Sequence, residues 1–268
     1  MKLAVLSATL VLLAGPVSVF ADDLDDALAA LKQAEPSKDA AKIKQLAAAA
    51  HATAKKYEGT PPADADKESF EARARYAKDV DTYSEYALYA LAVTDPKDAS
   101  DLMTALEQQN PKSKYLDRPD ALSIMTESAL NRKQTDRAVT YANRTIAAAN
   151  GKPPEDVPPA DWERMKSAVL GRAYFVVGSV AAERNQYAAA DKNLRAALPL
   201  IKGNTAMLGP AYFYLGVANY NLANMTASKA KMLEAAKFSE QAAQIPGPVQ
   251  DQAYKNANAM RSAADKMR

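Results

Sequence analysis

The 268-residue chain sets 34 Lys and Arg against 32 Asp and Glu, with one His and no Cys. A net charge of +2 without a basic cluster excludes the clustered cations that nucleic acid selects, and the missing cysteine excludes disulfides and a thiol nucleophile. The hydrophobic share of 48% leans on alanine with few β-branched runs, a bias that predicts an all-helical fold.

Residues 1–21 read as a secretory signal peptide. Lys2 gives a positive end, Leu3 to Ala14 a short apolar core and Gly15-Pro16 a helix break. Val19 and Ala21 are the small residues before a cut at Ala21–Asp22. The apolar run is well short of the roughly 20 residues of an uncleaved anchor, and no later stretch is long enough to span. The expectation is an exported protein, periplasmic or secreted, with no membrane span after cleavage. Without a cysteine at the cut it is not a bacterial lipoprotein, and losing Lys2 leaves a charge of about +1, too balanced for an electrostatic anchor.

An N-terminal helical region, 22–78, comes next. Leu24, Leu28 and Leu31 recur at helical spacing behind a run of acids that suits a helix N-terminus. No EF-hand spacing follows those acids, so they read as a solvated helix start rather than a calcium site. Pro36-Ser37 breaks the helix and can cap the next one, which carries Ile43, Leu46, Ala50, Ala54 and Tyr57 on one face. A loop over 58–67 leads to a long helix from about Phe70 to Val93, with Tyr76, Tyr83, Tyr86 and Ala90 in a stripe.

From 79 to 246 one helical hairpin recurs, over about 80–112, 119–150, 160–204 and 209–246. Tyr174 precedes Ala190 by sixteen residues, Leu122 precedes Ala138 by sixteen, and Tyr83 precedes Ala99 by sixteen. In the last two hairpins an aromatic is followed by an aliphatic and a glycine, Tyr174–Val177–Gly178 and Tyr212–Leu215–Gly216. Tyr212 to Ala235 is longer by seven residues, about two helical turns, which predicts a projecting tip around Asn224–Leu233. The step from Leu122 to Tyr174 holds an insertion at 151–168, whose four prolines force an extended connection before an N-cap at Asp161. Pro246-Gly247-Pro248 stops the array. Residues 247–268 then form a capping helix with Val249, Ala253, Ala257, Met260, Ala264 and Met267 on one side.

The pattern of an aromatic, an aliphatic-glycine step, a small residue and a closing Pro111 resembles the tetratricopeptide repeat (TPR) family. The resemblance implies a right-handed α-solenoid of TPR-like hairpins, with an N-terminal helical pair and a C-terminal capping helix. It also implies a concave face, lined by the first helix of each hairpin, that binds a protein or peptide. Carried over residue by residue, that face holds Ser123, Glu127 and Asn131, then Arg172, Phe175, Ser179 and Glu183, then Phe213, Val217, Tyr220 and Asn221. Each aromatic there has a plainer reading, as packing against the long flanking helices. The family's clamp of Lys, Arg and Asn for a terminal carboxylate has no match beyond Arg172 and scattered Asn.

Chemistry of other kinds is sparse. His51 stands alone on an alanine-rich helix and reads as a helix-flank residue. No Gly-rich phosphate loop, HExxH or GxSxG occurs, while carboxylate pairs stay open on spacing alone. The expectation is a non-enzymatic scaffold with no catalytic residue, cofactor or metal. A self-associating envelope component is the alternative, ahead of an enzyme or a small-molecule carrier with a pocket between the N-terminal helices and the repeats.

Overall fold

The computed structural model describes residues 23–59, 66–154 and 157–267. The expected leader, 1–21, and most of the expected loop at 58–67 lie outside the described residues. Those described form eleven α-helices and two 3-10 turns, with no strand among them. In order they are α1 (Asp23–Ala34), α2 (Ala40–Lys55), α3 (Lys67–Thr94), α4 (Ala99–Gln109), α5 (Pro119–Asn131) and α6 (Thr135–Ala149). Then follow α7 (Pro159–Glu183), α8 (Tyr187–Ala197), α9 (Thr205–Thr226), α10 (Lys229–Ala243) and α11 (Gln250–Lys266). The 3-10 turns are Glu35–Ser37 and Lys114–Asp117.

Each helix packs on its neighbours in sequence, with the α2–α3, α3–α4, α5–α6, α7–α8 and α9–α10 pairs closely apposed. The odd-numbered helices also touch in succession, α1 on α3, α3 on α5, and onward to α9 on α11. The small residues of the sixteen-residue register, Ala99, Ala138 and Ala190, and Ala235 of the longer last hairpin are all buried where a second helix meets a first. One hydrophobic cluster runs from Leu24 through α3 to Tyr141. The expected boundary at 78–79 falls inside α3.

Three hairpin turns share one geometry. Lys133, Asn185 and Ala227 take left-handed φ values of 59°, 59° and 49°. The next residue's amide reaches back to a buried alanine carbonyl: Gln134 to Ala129, Gln186 to Ala181 and Ser228 to Ala223, at 2.8–3.0 Å. These are the reverse bonds of a Schellman C-cap, which satisfy carbonyls a helix end leaves open. Counted from Ala227, the seven extra residues of the last hairpin divide into four on α9 and three on α10, about one turn on each arm. The face of each arm is thus preserved.

The tip does not project bare, however. α11 runs beside α10 to its start, burying Met232 and Ala264, and the Lys229 ammonium donates to the Met267 carbonyl at 3.0 Å. Met225, 75% exposed, is the part left open to solvent.

Local starts differ from the sequence reading in three places. Asp39, not Ser37, caps α2, its carboxylate accepting the Lys42 amide at 3.0 Å. α7 begins at Pro159, with the fixed φ that suits a first helical position, so Asp161 sits inside the first turn and pairs with Arg164. α9 begins a turn before Gly209, capped by Asn204, and carries Pro210 inside it.

The acids at the start of α1 are exposed, as a solvated helix start requires, and two of them also dock the helix. Asp23 accepts from the Tyr57 hydroxyl at 2.9 Å and Lys56 at 3.0 Å, and Asp25 accepts from the Tyr76 hydroxyl. The same device recurs at Tyr83 to Glu35, Tyr89 to Asp120 and Tyr141 to Glu107, each at 2.7 Å. A tyrosine packs its ring in the seam between helices and hands its hydroxyl to an acid on the next element.

Candidate functional site

The expected binding face lies on α5, α7 and α9, whose residues three and four apart share one side of each helix. Several of the residues placed there turn out to hold the helices to one another. The Arg172 guanidinium donates two bonds to both oxygens of Glu127, a bidentate strut from α7 to α5. A further Arg172 nitrogen lies 3.3 Å from the Met207 sulfur on α9. Glu183 accepts the Tyr214 hydroxyl at 2.7 Å, tying α7 to α9. Burial first, and that carboxylate second, push the Tyr214 phenol up to about 12.

The remaining positions divide by exposure. Phe175 is half-buried between two clusters, and Phe213 meets the Tyr214 ring edge-on at 5.6 Å. Packing, the plainer reading, fits Phe175, whereas the ring that Phe213 meets belongs to its own neighbour on α9. Ser179 donates to the Val176 carbonyl and Asn221 to the Val217 carbonyl, so each turns a donor onto its own helix. Tyr220, 37% exposed, and Asn131 offer side chains to solvent, with Val217 and Ser123 half-buried beside them. What stays available is a narrow strip centred on Tyr220, able to supply aromatic area and amide hydrogen bonds rather than acid–base chemistry.

Of the clefts elsewhere among the described residues, two stand out. One, of about 290 Å³, sits between α4, α5 and α6, and its polar walls pair with each other. Glu107 takes Arg137 at 2.9 Å and Tyr141 at 2.7 Å, and Ser100 meets Ser128 at 2.6 Å. The other, of about 660 Å³, opens between α2, α3 and the turn after α4. Asp81 on its wall is met by His51, read from sequence as a lone flank residue, whose Nδ1 lies 2.6 Å from the carboxylate. No spacing rule links two residues on separate helices, so this pairing had no signal in the sequence. Among the described residues no group of three or more His, Asp or Glu is arranged to hold a metal ion, and no helix is long and apolar enough to cross a membrane.

Neither family models, curated proteins nor solved structures yield a match to this chain.

Proposed function

We propose that the chain is an exported, non-enzymatic scaffold whose hairpins stack as a right-handed TPR-like solenoid. In this reading it binds a protein or peptide along α5, α7 and α9. The observation that carries the reading is the successive contact of the odd-numbered helices, which is how a stack of hairpins presents its first helices as one continuous surface. Three matching hairpin turns support it. Glu127 with Arg172 and Glu183 with Tyr214 then act as rungs that fix the spacing of that surface, while Tyr220 and Asn131 face the partner.

A photo-crosslinking residue at position 220, introduced in the native host, tests this. It should trap one partner reproducibly, and Tyr220→Ala should lower that partner's affinity while leaving the melting temperature unchanged. A chain that crosslinks to nothing at 220, yet does so from α11 or the α9–α10 tip, favours the second reading. That reading is a self-associating envelope component, supported by the exposed Met225, Leu233 and Tyr254. Concentration-dependent sedimentation would be its signature.

A further inference from the structure

The larger cleft contains a charge arrangement that packing does not account for. Glu85, on α3, is a carboxylate only 6% exposed, and it lines the cleft wall. Its hydrogen-bond donor is the neutral side-chain amide of Asn110 at 2.6 Å, and among the described residues no Lys or Arg lies within ion-pair distance of it. Buried carboxylates ordinarily have a cation beside them, because removing the charge from water is costly.

The nearby cations are otherwise engaged. Lys55 holds Glu58 at 2.5 Å and Asp81 at 3.8 Å and feels the Glu85 charge only at longer range. His51 takes the remaining side of Asp81, and Lys114, which also lines the cleft, lies over the Tyr115 ring. Two turns back along the same wall stands Lys78, exposed and without a carboxylate among the described residues. One face of α3 therefore presents an exposed cation and a buried anion with no cation at ion-pair distance, seven residues or about 10.5 Å of helix rise apart, with Asp81 and Thr82 between them.

We propose that this cleft binds a short zwitterionic peptide, its ammonium against Glu85 and its carboxylate against Lys78. An extended chain covers about 3.3–3.6 Å per residue, so about three residues span the gap. Ala54, Ala74 and Ala77 add small, apolar side chains to the lining, which leaves room for small ligand side chains. A cleft of about 660 Å³ is of ordinary size for such a ligand. The site is built from α2, α3 and the turn after α4, away from α7 and α9, so it stands or falls independently of the scaffold reading.

The test is a calorimetric titration of the full chain with trialanine, N-acetyl-trialanine and trialanine amide. Trialanine should bind saturably below about 10 mM, and blocking either end should weaken it at least about tenfold. Glu85→Gln keeps an acceptor for Asn110 and should abolish the preference for the free over the acetylated peptide. Lys78→Ala, at an exposed position where folding is not at stake, should abolish the preference for the free acid over the amide. Should the Glu85 variant not fold, the Lys78 variant decides. No saturable signal from trialanine, equal binding of the blocked forms, or selectivity unchanged in Lys78→Ala would overturn the proposal.

Discussion

A methyl group placed on Gly178 of α7 would lie 2.6 Å from the Leu194 Cγ of α8 and 3.0 Å from the Leu194 backbone nitrogen. Leu194 is fully buried, so it has nowhere to retreat. On α9 the same construction at Gly216 runs into the buried Ser239 hydroxyl and comes within 3.3 Å of the Ala235 carbonyl. Leu194 and Ser239 each stand four residues after the small residue of their hairpin, Ala190 and Ala235. The two hairpins close at the same step, and a missing Cβ sets how tightly.

Two effects oppose each other in Gly178→Ala. Alanine is the better helix former by about 1 kcal/mol, whereas overpacking a tight crossing costs about 1–3 kcal/mol. Because the crowded atoms include backbone, overpacking wins, and the variant should lose about 1–2 kcal/mol in urea unfolding. Gly216→Leu should lose considerably more. Gly203→Ala is the control: no atom lies within 4 Å of its added Cβ, and it should be neutral or slightly stabilising. A Gly178→Ala protein melting at or above the wild type would remove the steric account of the hairpin.

Ala227 takes φ 49° at the turn between α9 and α10, a conformation that costs an L-residue with a Cβ about 1–2 kcal/mol. Ala227→Gly should therefore stabilise the chain by about 1 kcal/mol, part of the gain being lost to the freer unfolded chain. Asn185→Gly, at the matching turn of α7 and α8, should gain less, since asparagine tolerates the left-handed region. Equilibrium unfolding ranks the two. Destabilisation by Ala227→Gly would contradict the turn geometry.

The sixteen-residue register was legible in the sequence because a close helix crossing demands a small residue at a fixed step, and Ala138 and Ala190 answer that demand directly. The extra turn on each arm of the last hairpin was legible for the same reason, since any surplus must keep the inward side inward. Pairings across helices were not. Glu127 and Arg172 stand 45 residues apart and meet only because α5 and α7 lie side by side, an offset no local pattern encodes. Glu85 reads as one more acid on a mixed helix. Its burial follows from where the turn after α4 folds over α3, with Asn110 bonded to it.

Asn219, fully buried on α9, joins two hairpins. Its amide donates to the Asp191 carboxylate on α8 at 2.6 Å and to the Leu215 carbonyl at 3.0 Å. Beside it Arg195 holds Asp191 at 2.8 Å and Glu234 on α10 at 2.9 Å, and stacks over Phe238 at 4.9 Å. Asn219→Ala removes a donor from a mostly buried carboxylate and should cost about 1–3 kcal/mol. Asn219→Asp sets a second carboxylate against Asp191 and should cost more at pH 7 than at pH 4, where protonation relieves the repulsion. Chemical unfolding at both pH values checks the pair, and an Asp variant equally stable at the two would count against the contact.

Alkaline titration reports on the tyrosine–carboxylate seams. Burial, reinforced by the Glu183 carboxylate, lifts the Tyr214 phenol to about 12, and burial raises Tyr83 and Tyr89 further still. An acid whose folded value is raised keeps its proton longer in the native state. Its stabilisation is complete below the unfolded value near 10 and is lost as pH climbs through the folded one. The wild type should therefore hold its stability from these groups up to about pH 9 and lose it above 10. Against Tyr214→Phe, which has no phenol to ionise, the wild-type advantage should shrink steadily between pH 10 and about 12. Thermal melts of the two proteins across that range give the answer, and an advantage that grows with pH would refute a shielded Tyr214.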